Sequence, residues 1–233
     1  MSLILSWSYE WHKTFNVNSV AFLFSSADGI SALNDGEISS SAVVFLSLKL
    51  QPINDKENIK KILSEIPKDV LLLAVSKTKS VENILEAYDE GIRDFGENKV
   101  QELIDKYERL PNDIKWHLIG KLQTNKVKYI VGKVELIHSL SSIKLLGKIE
   151  SEFGKNNLSA DVLIQINIGR EESKSGIYEE ELEDMIKAVE NCNHVNVKGL
   201  MVIIPKGTDE ENRYYFNKTK KIFDNLKDRK LKN

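Results

Sequence analysis

The stretch 70-VLLLAVSKTKS-80 decides the architecture. Six apolar residues, Val70 to Val75, read as a buried strand, and the run then ends on Ser76 and Lys77. Period-two alternation places Leu71, Leu73, Val75 and Lys77 on one face. If that face looks into a barrel, Lys77 is delivered to the mouth from apolar walls. Such burial disfavours the ammonium form, and an unprotonated amine is what attack on an aldehyde requires. Lys77 is therefore a candidate Schiff-base lysine, with a lysine that snorkels to solvent as the alternative.

The pattern repeats on both sides of this strand. Ile59, Ile62, Leu63 and Ile66 mark one face of a helix that starts near Asn54 and stops at Pro67. A helix over 80–90 turns Ile84, Leu85 and Tyr88 inward, with Gly91 placed to end it. Strands at 92–98, 115–120, 135–140, 160–167 and 197–203 then alternate with helices near 98–109, 123–131, 142–153, 179–190 and 208–228. Apolar strands alternating with amphipathic helices imply a parallel sheet covered on both faces, hence an α/β fold. No GxGxxG occurs, and none of the Gly-Lys pairs at 120, 132, 147 and 154 is followed by Ser or Thr, so nucleotide-phosphate loops are unsupported. A (β/α) barrel is the leading architecture and an open doubly wound sheet the runner-up.

In a parallel barrel, functional groups gather where strands end. The polar strand ends here are Ser76-Lys77, Gly96-Glu97-Asn98, His138-Ser139 and Asn167. Asn98 also suits the N-cap of the helix that follows it, while His138 and Asn167 also suit hydrogen-bonded residues under a loop. His117 lies inside the apolar strand "WHLIG" and reads as a core histidine, and the four histidines lack metal-ligand spacing.

Composition narrows the classes. A formal charge of -2 over 233 residues gives no bulk reason to expect nucleic acid or an anionic membrane as partner. Cys192 is the single cysteine, which excludes an intramolecular disulfide and points to a reducing cytoplasm. No apolar run approaches the roughly 18 residues of a membrane span. Residues 1–52 differ from 53–233: up to position 50 the charged side chains are Glu10, Lys13, Asp28, Asp35, Glu37 and Lys49 alone. This leader reads as a poorly ordered extension of unknown structure or as sequence upstream of the true start, with "VAFLF" at 20–24 too short for a signal-peptide core.

The segments "LLLAVSKTKS", "GIRDFGENKVQE", "IKWHLIGKLQTNKVKYI", "ELIHSLSS", "VLIQINIGREESKSGI" and "VKGLMVI", in this order, resemble the pyridoxal phosphate homeostasis proteins, single-domain relatives of the alanine racemase barrel. The resemblance runs from about Lys56 to the last helix. It implies a TIM-type (β/α) barrel of the alanine racemase N-terminal kind. It also implies a cytoplasmic protein that holds pyridoxal 5'-phosphate (PLP) as a Schiff base on Lys77. The role implied is intracellular PLP homeostasis without catalytic turnover, with PLP-dependent apoenzymes as partners that receive the cofactor. Asn98 falls near the cofactor ring, and Asn167 and His138 face the same mouth. "NK" at 125–126 and "KSG" at 174–176 also match family signatures, as basic loop ends suited to an anion or as solvated charges. A racemase-like PLP enzyme is the alternative, although racemases carry a second, mostly β domain for which this chain has no room.

The family continues into two further strand units whose turns grip the phosphate, whereas this sequence stops at "DNLKDRKLKN". The barrel is therefore expected to be incomplete and C-terminally truncated, with about six of eight strand-helix units, bare edges on the first and sixth strands, and weakened phosphate retention. The leader's "SVAFLF" and "SAVVFLSL" are candidates to patch the gap, as is another chain, but truncation of a longer reading frame is the favoured reading.

Overall fold

The computed structural model describes the strands within 2–7, 20–24 and 42–47, and residues 70–205 and 208–227. The leader contributes β1 (Ser2–Trp7), β2 (Val20–Phe24) and β3 (Ala42–Ser47). The remainder of 1–52, and the helix expected between Asn54 and Pro67, lie outside the described residues. From Val70 the alternation read from the sequence is present: β4 (Val70–Val75), α1 (Val81–Asp89), β5 (Asp94–Glu97), α2 (Val100–Tyr107) and β6 (Lys115–Leu118). There follow β7 (Leu136–Leu140), α3 (Ile143–Gly154), β8 (Ala160–Ile166), α4 (Leu182–Glu190), β9 (Val195–Val202) and α5 (Asp209–Lys227).

Local chemistry explains the element ends. Ser80 and Ser142 cap α1 and α3 by accepting from the backbone N–H of Asn83 and Leu145. Gly91, at φ +96°, ends α1 as expected: its N–H donates to the Tyr88 carbonyl and that of Ile92 to the Ala87 carbonyl, the paired closure that favours glycine there. Between β6 and β7 the expected α-helix is instead a 3-10 segment, Thr124–Tyr129. Its buried Val127 and the buried Ile130 that caps its end are three apart, and three residues per turn lines them up on one edge.

β4 to β9 pair in sequence order and in parallel. The two edges that a six-stranded sheet would leave bare are paired here. β3 runs parallel to β4 from Ala42 beside Val70 to Ser47 beside Val75, and β1 runs parallel to β9 from Ser2 beside Gly199 to Ile4 beside Met201. β2 joins β1 and β3 by antiparallel ladders, so the described strands close in the order β1 to β9. Most of the apolar core lies between the strands and the helices, around Phe95, Trp116, Leu103, Ile149 and Phe153. A second, smaller cluster draws its buried members only from strands, Leu73, Val75, Leu136, Leu163 and Met201, with Ile119 packed on it. This is the barrel interior, and alternation along β4 explains it: Leu72 and Ala74 face the helices, Leu73 and Val75 the inside.

Candidate functional site

Lys77 stands two residues past the end of β4, after the buried Ser76, in the turn that follows the inward-facing Leu73 and Val75. The burial expected of it is not found: Lys77 is exposed, and the apolar floor begins two residues below. The inner face is also shorter than its pattern suggests, since Leu71 is 37% exposed. An amine that solvent and solutes can reach, on the turn that ends an apolar strand, is suited to capture a small aldehyde.

The turn carrying this amine is tightly tied. The Ser76 carbonyl accepts from the backbone N–H of Lys79 at 3.0 Å and from Lys106 Nζ at 2.8 Å. Ser76 Oγ donates to Glu97 Oε1 at 2.5 Å, and Lys106 Nζ donates to the same oxygen at 2.8 Å. Lys106 Nζ also donates to Glu102 Oε1 at 2.7 Å, and Glu102 Oε1 accepts from the N–H of Thr78 at 2.6 Å. Ser76, Glu97 and Lys106 are all buried. Thr78 stands at φ +65°, a region that β-branched residues avoid. Burial pushes the Glu97 carboxyl above its ordinary range against the hydrogen bonds from Lys106 and Ser76. For Glu102 burial also acts upward, but the Lys106 and Thr78 hydrogen bonds outweigh it and hold the carboxyl below its usual range.

A second polar chain runs across the adjacent strands β5, β6 and β7. His117 Nε2 lies 3.1 Å from Asp94 Oδ1, and His117 Nδ1 lies 2.9 Å from His138 Nε2. A neutral His117 that donates to the carboxylate accepts at Nδ1, which makes His138 Nε2 the donor. His117 is thus a satisfied core histidine, as its strand position suggested. His138 is fully buried, and burial first, then the neighbouring His117, pushes its ring well below the ordinary histidine range.

The other expected residues fall in varied settings. Asn98 lies just after β5, half-buried, and the N-cap position of α2 belongs to Lys99 rather than to Asn98. Its backbone is closely covered by Gly120, where a Cβ would stand 2.3 Å from the Asn98 carbonyl oxygen. Asn167, at the end of β8, donates through Nδ2 to the carbonyls of Glu171 (2.9 Å) and Lys174 (3.3 Å) and accepts at Oδ1 from the Glu171 N–H (3.1 Å). Its amide therefore shapes the loop that follows. Lys174 is ion-paired with Glu171 and donates to the Ile204 carbonyl, so it is not a solvated charge, and Lys126 stands 5.5 Å from the Tyr129 ring centroid. Gln165 adds a polar group, its Oε1 buried and without a hydrogen-bond partner.

The Lys106 cluster was missed from the sequence. Its signal was phase: Lys106 falls three residues beyond Leu103 and six beyond Val100, on the apolar stripe of α2, where a lysine needs buried partners. Elsewhere, burial and the nearby Glu150 push the Cys192 thiol up to about 11, which leaves it unreactive. No group of three His, Cys, Asp or Glu able to hold a metal occurs among the described residues. No described helix is long and apolar enough to cross a membrane.

Comparison with known proteins bears on this site. The family model for the alanine racemase N-terminal domain matches residues 54–233. A pyridoxal phosphate homeostasis protein of Aquifex aeolicus is 46% identical over 157 residues, covering 66% of this chain and 69% of that protein. One of Haemophilus influenzae is 41% identical over 163 residues, with 68% of each chain covered. The structure of PipY from Synechococcus elongatus without PLP superposes with a TM-score of 0.71 at 34% identity, over 74% of this chain and 82% of PipY. PipY with PLP bound gives 0.68 at 33% identity over the same shares. An alanine racemase of Clostridium difficile has a TM-score of 0.65 over 77% of this chain and 49% of the racemase, but at 14% identity it shows a shared fold alone. With a family model matched over 54–233 and relatives 46% and 41% identical that cover about two thirds of it, the chain belongs to the pyridoxal phosphate homeostasis protein family.

Proposed function

We propose that this protein binds PLP through a Schiff base at Lys77 and serves to hold and release the cofactor inside the cell, without catalytic turnover. One observation carries the reading: an exposed lysine lies in the turn at the carboxyl end of the first described strand of the 54–233 region, a strand whose Leu73 and Val75 line the barrel interior. The residues present fit the group at this point. The floor of Leu73, Val75, Leu163 and Met201 accepts an aromatic ring, and the unpartnered Gln165 Oε1 is a buried acceptor in the next layer of β8. The amine nitrogen would bond to the aldehyde carbon, and the carbonyl oxygen would leave as water with the two amine protons. Such a linkage is reversible by hydrolysis, which suits a store that supplies PLP-dependent apoenzymes. The single cysteine suits a cytoplasmic setting. Asn98, beside the lysine turn, is proposed as a ring contact. His138 and Asn167 are proposed as supports beneath the site, because their polar atoms face His117 and the 167–174 loop.

Turnover would require a group able to exchange a proton opposite the lysine. The relatives' names, pyridoxal phosphate homeostasis proteins, favour a carrier over a racemase. The test is spectroscopic. Adding PLP to the full chain is expected to give an imine absorbance that borohydride fixes covalently at Lys77, and the signal is expected to vanish in Lys77→Ala. A Lys77→Ala protein that kept the same fixed label would overturn the reading. Repeating the titration with pyridoxal, which lacks the phosphate, measures how much of the affinity the phosphate supplies. Incubation with L-alanine is expected to yield no D-alanine, and sustained racemisation would replace the carrier by an enzyme.

A further inference from the structure

The amine of Lys77 depends on groups that themselves stand behind the strand. A lysine ammonium has three donors, and Lys106 uses all of them, on the Ser76 carbonyl, Glu97 Oε1 and Glu102 Oε1. Glu102 then accepts from the N–H of Thr78. One peptide group on each side of Lys77 is thus fastened to α2 or to the end of β5. The turn so fastened is a strained one. A threonine at φ +65° persists only where its surroundings over-determine it, and release would rotate the peptide between Lys77 and Thr78. Stability alone is a weak account of such a cluster, since a buried ion pair is commonly no better than apolar packing of the same volume.

We propose that Lys106, with Glu97 and Glu102, is a positioning device for Lys77: a clamp that keeps the Ser76–Lys79 turn strained so that the amine is presented at the barrel mouth. The proposal rests on the reading of Lys77 as the aldehyde-capturing amine. It assigns no contact with the cofactor to the three clamp residues. Their effect is on the fraction of molecules whose amine points the right way, and apparent affinity falls in proportion to that fraction.

Three variants of the full chain test it, each titrated with PLP, fixed with borohydride and mapped by mass spectrometry, with thermal unfolding followed in the absence of cofactor. Thr78→Gly removes the strain and frees the turn. It is expected to unfold at or above the temperature of the parent yet to bind PLP about tenfold more weakly, as when only a tenth of molecules present the amine. Glu102→Ala removes the acceptor for Thr78 and is expected to weaken binding similarly. Glu102→Gln keeps an oxygen at that position and is expected to restore most of the affinity. Parent-like affinity in both Thr78→Gly and Glu102→Ala would overturn the clamp. Equal losses in Glu102→Ala and Glu102→Gln that track their unfolding temperatures would also overturn it, by reducing the cluster to a structural role. If the parent chain itself forms no borohydride-fixed linkage at Lys77, the underlying reading of the site fails instead.

Discussion

His138 shows how one buried ring couples the barrel interior to pH. Burial and the neighbouring His117 both act against its protonation, while Asp94 is held one residue further away, on the far side of His117. Below about pH 6.5 the unfolded chain takes up a proton at this ring and the folded chain does not. The unfolded state then binds more protons, so stability falls on acidification, by at most about 1.4 kcal/mol per pH unit for this group. Glu97 slopes the other way, because its folded carboxyl is raised and its contribution weakens as pH rises from the ordinary carboxylate range. The difference between parent and His138→Gln isolates the histidine: denaturant unfolding between pH 5 and 7 is expected to show a flatter profile in the variant, and parallel profiles would contradict the assignment. At Gly120 the constraint is steric. An added methyl would lie 2.3 Å from the carbonyl oxygen and 2.6 Å from the Cα of Asn98, both backbone atoms that cannot swing aside. Gly120→Ala is expected to cost about 1–3 kcal/mol in chemical denaturation and to weaken PLP binding by displacing Asn98.

Helices and strands were the most legible level of the sequence, because their signals are periodic and local. The stripe Leu145, Leu146, Ile149 and Phe153 and the cap at Ser142 define α3 almost residue by residue. Ser142→Ala is accordingly expected to lower stability by about 1 kcal/mol, read from the denaturation midpoint at unchanged slope. The 124–129 segment was misread because two apolar residues three apart satisfy an α-helix and a 3-10 helix equally, and only packing decides. The site was half legible. Lys77 stood out because a lysine after six apolar residues breaks a pattern. Its exposure could not be read, since alternation gives the side of a strand but not the depth at which the barrel ends. The links of Ser76 to Glu97 and Lys106, of Thr78 to Glu102, and of the Asp94, His117 and His138 chain join residues 21 to 30 positions apart, and such pairings depend on register. Asn167 was legible as a polar strand end, but that its amide organises the following loop was not, because those partners are backbone groups of the loop.

At the scale of the molecule, the leader strands bear on whether the barrel can stand alone. β3 and β1 occupy the two edges that β4 and β9 would otherwise present to solvent. Deleting residues 1–52 is expected to expose both edges, lower the unfolding temperature and cause concentration-dependent association in size-exclusion chromatography, since bare strand edges template pairing with other chains. A deleted protein that stayed monomeric with unchanged unfolding would remove the leader from the barrel's stability. The leader's ladders also obey a rule of direction. β4 and β9 run the same way, β1 and β3 join them in parallel, and each antiparallel step within the leader reverses the chain. Where hairpins join the strands, as in this leader, an odd number is needed to bridge the opening: one upward, one downward, one upward. A two-strand hairpin would meet one of the edges antiparallel, whereas two strands joined by helical crossovers would meet both in parallel, so a leader without crossovers needs its third strand.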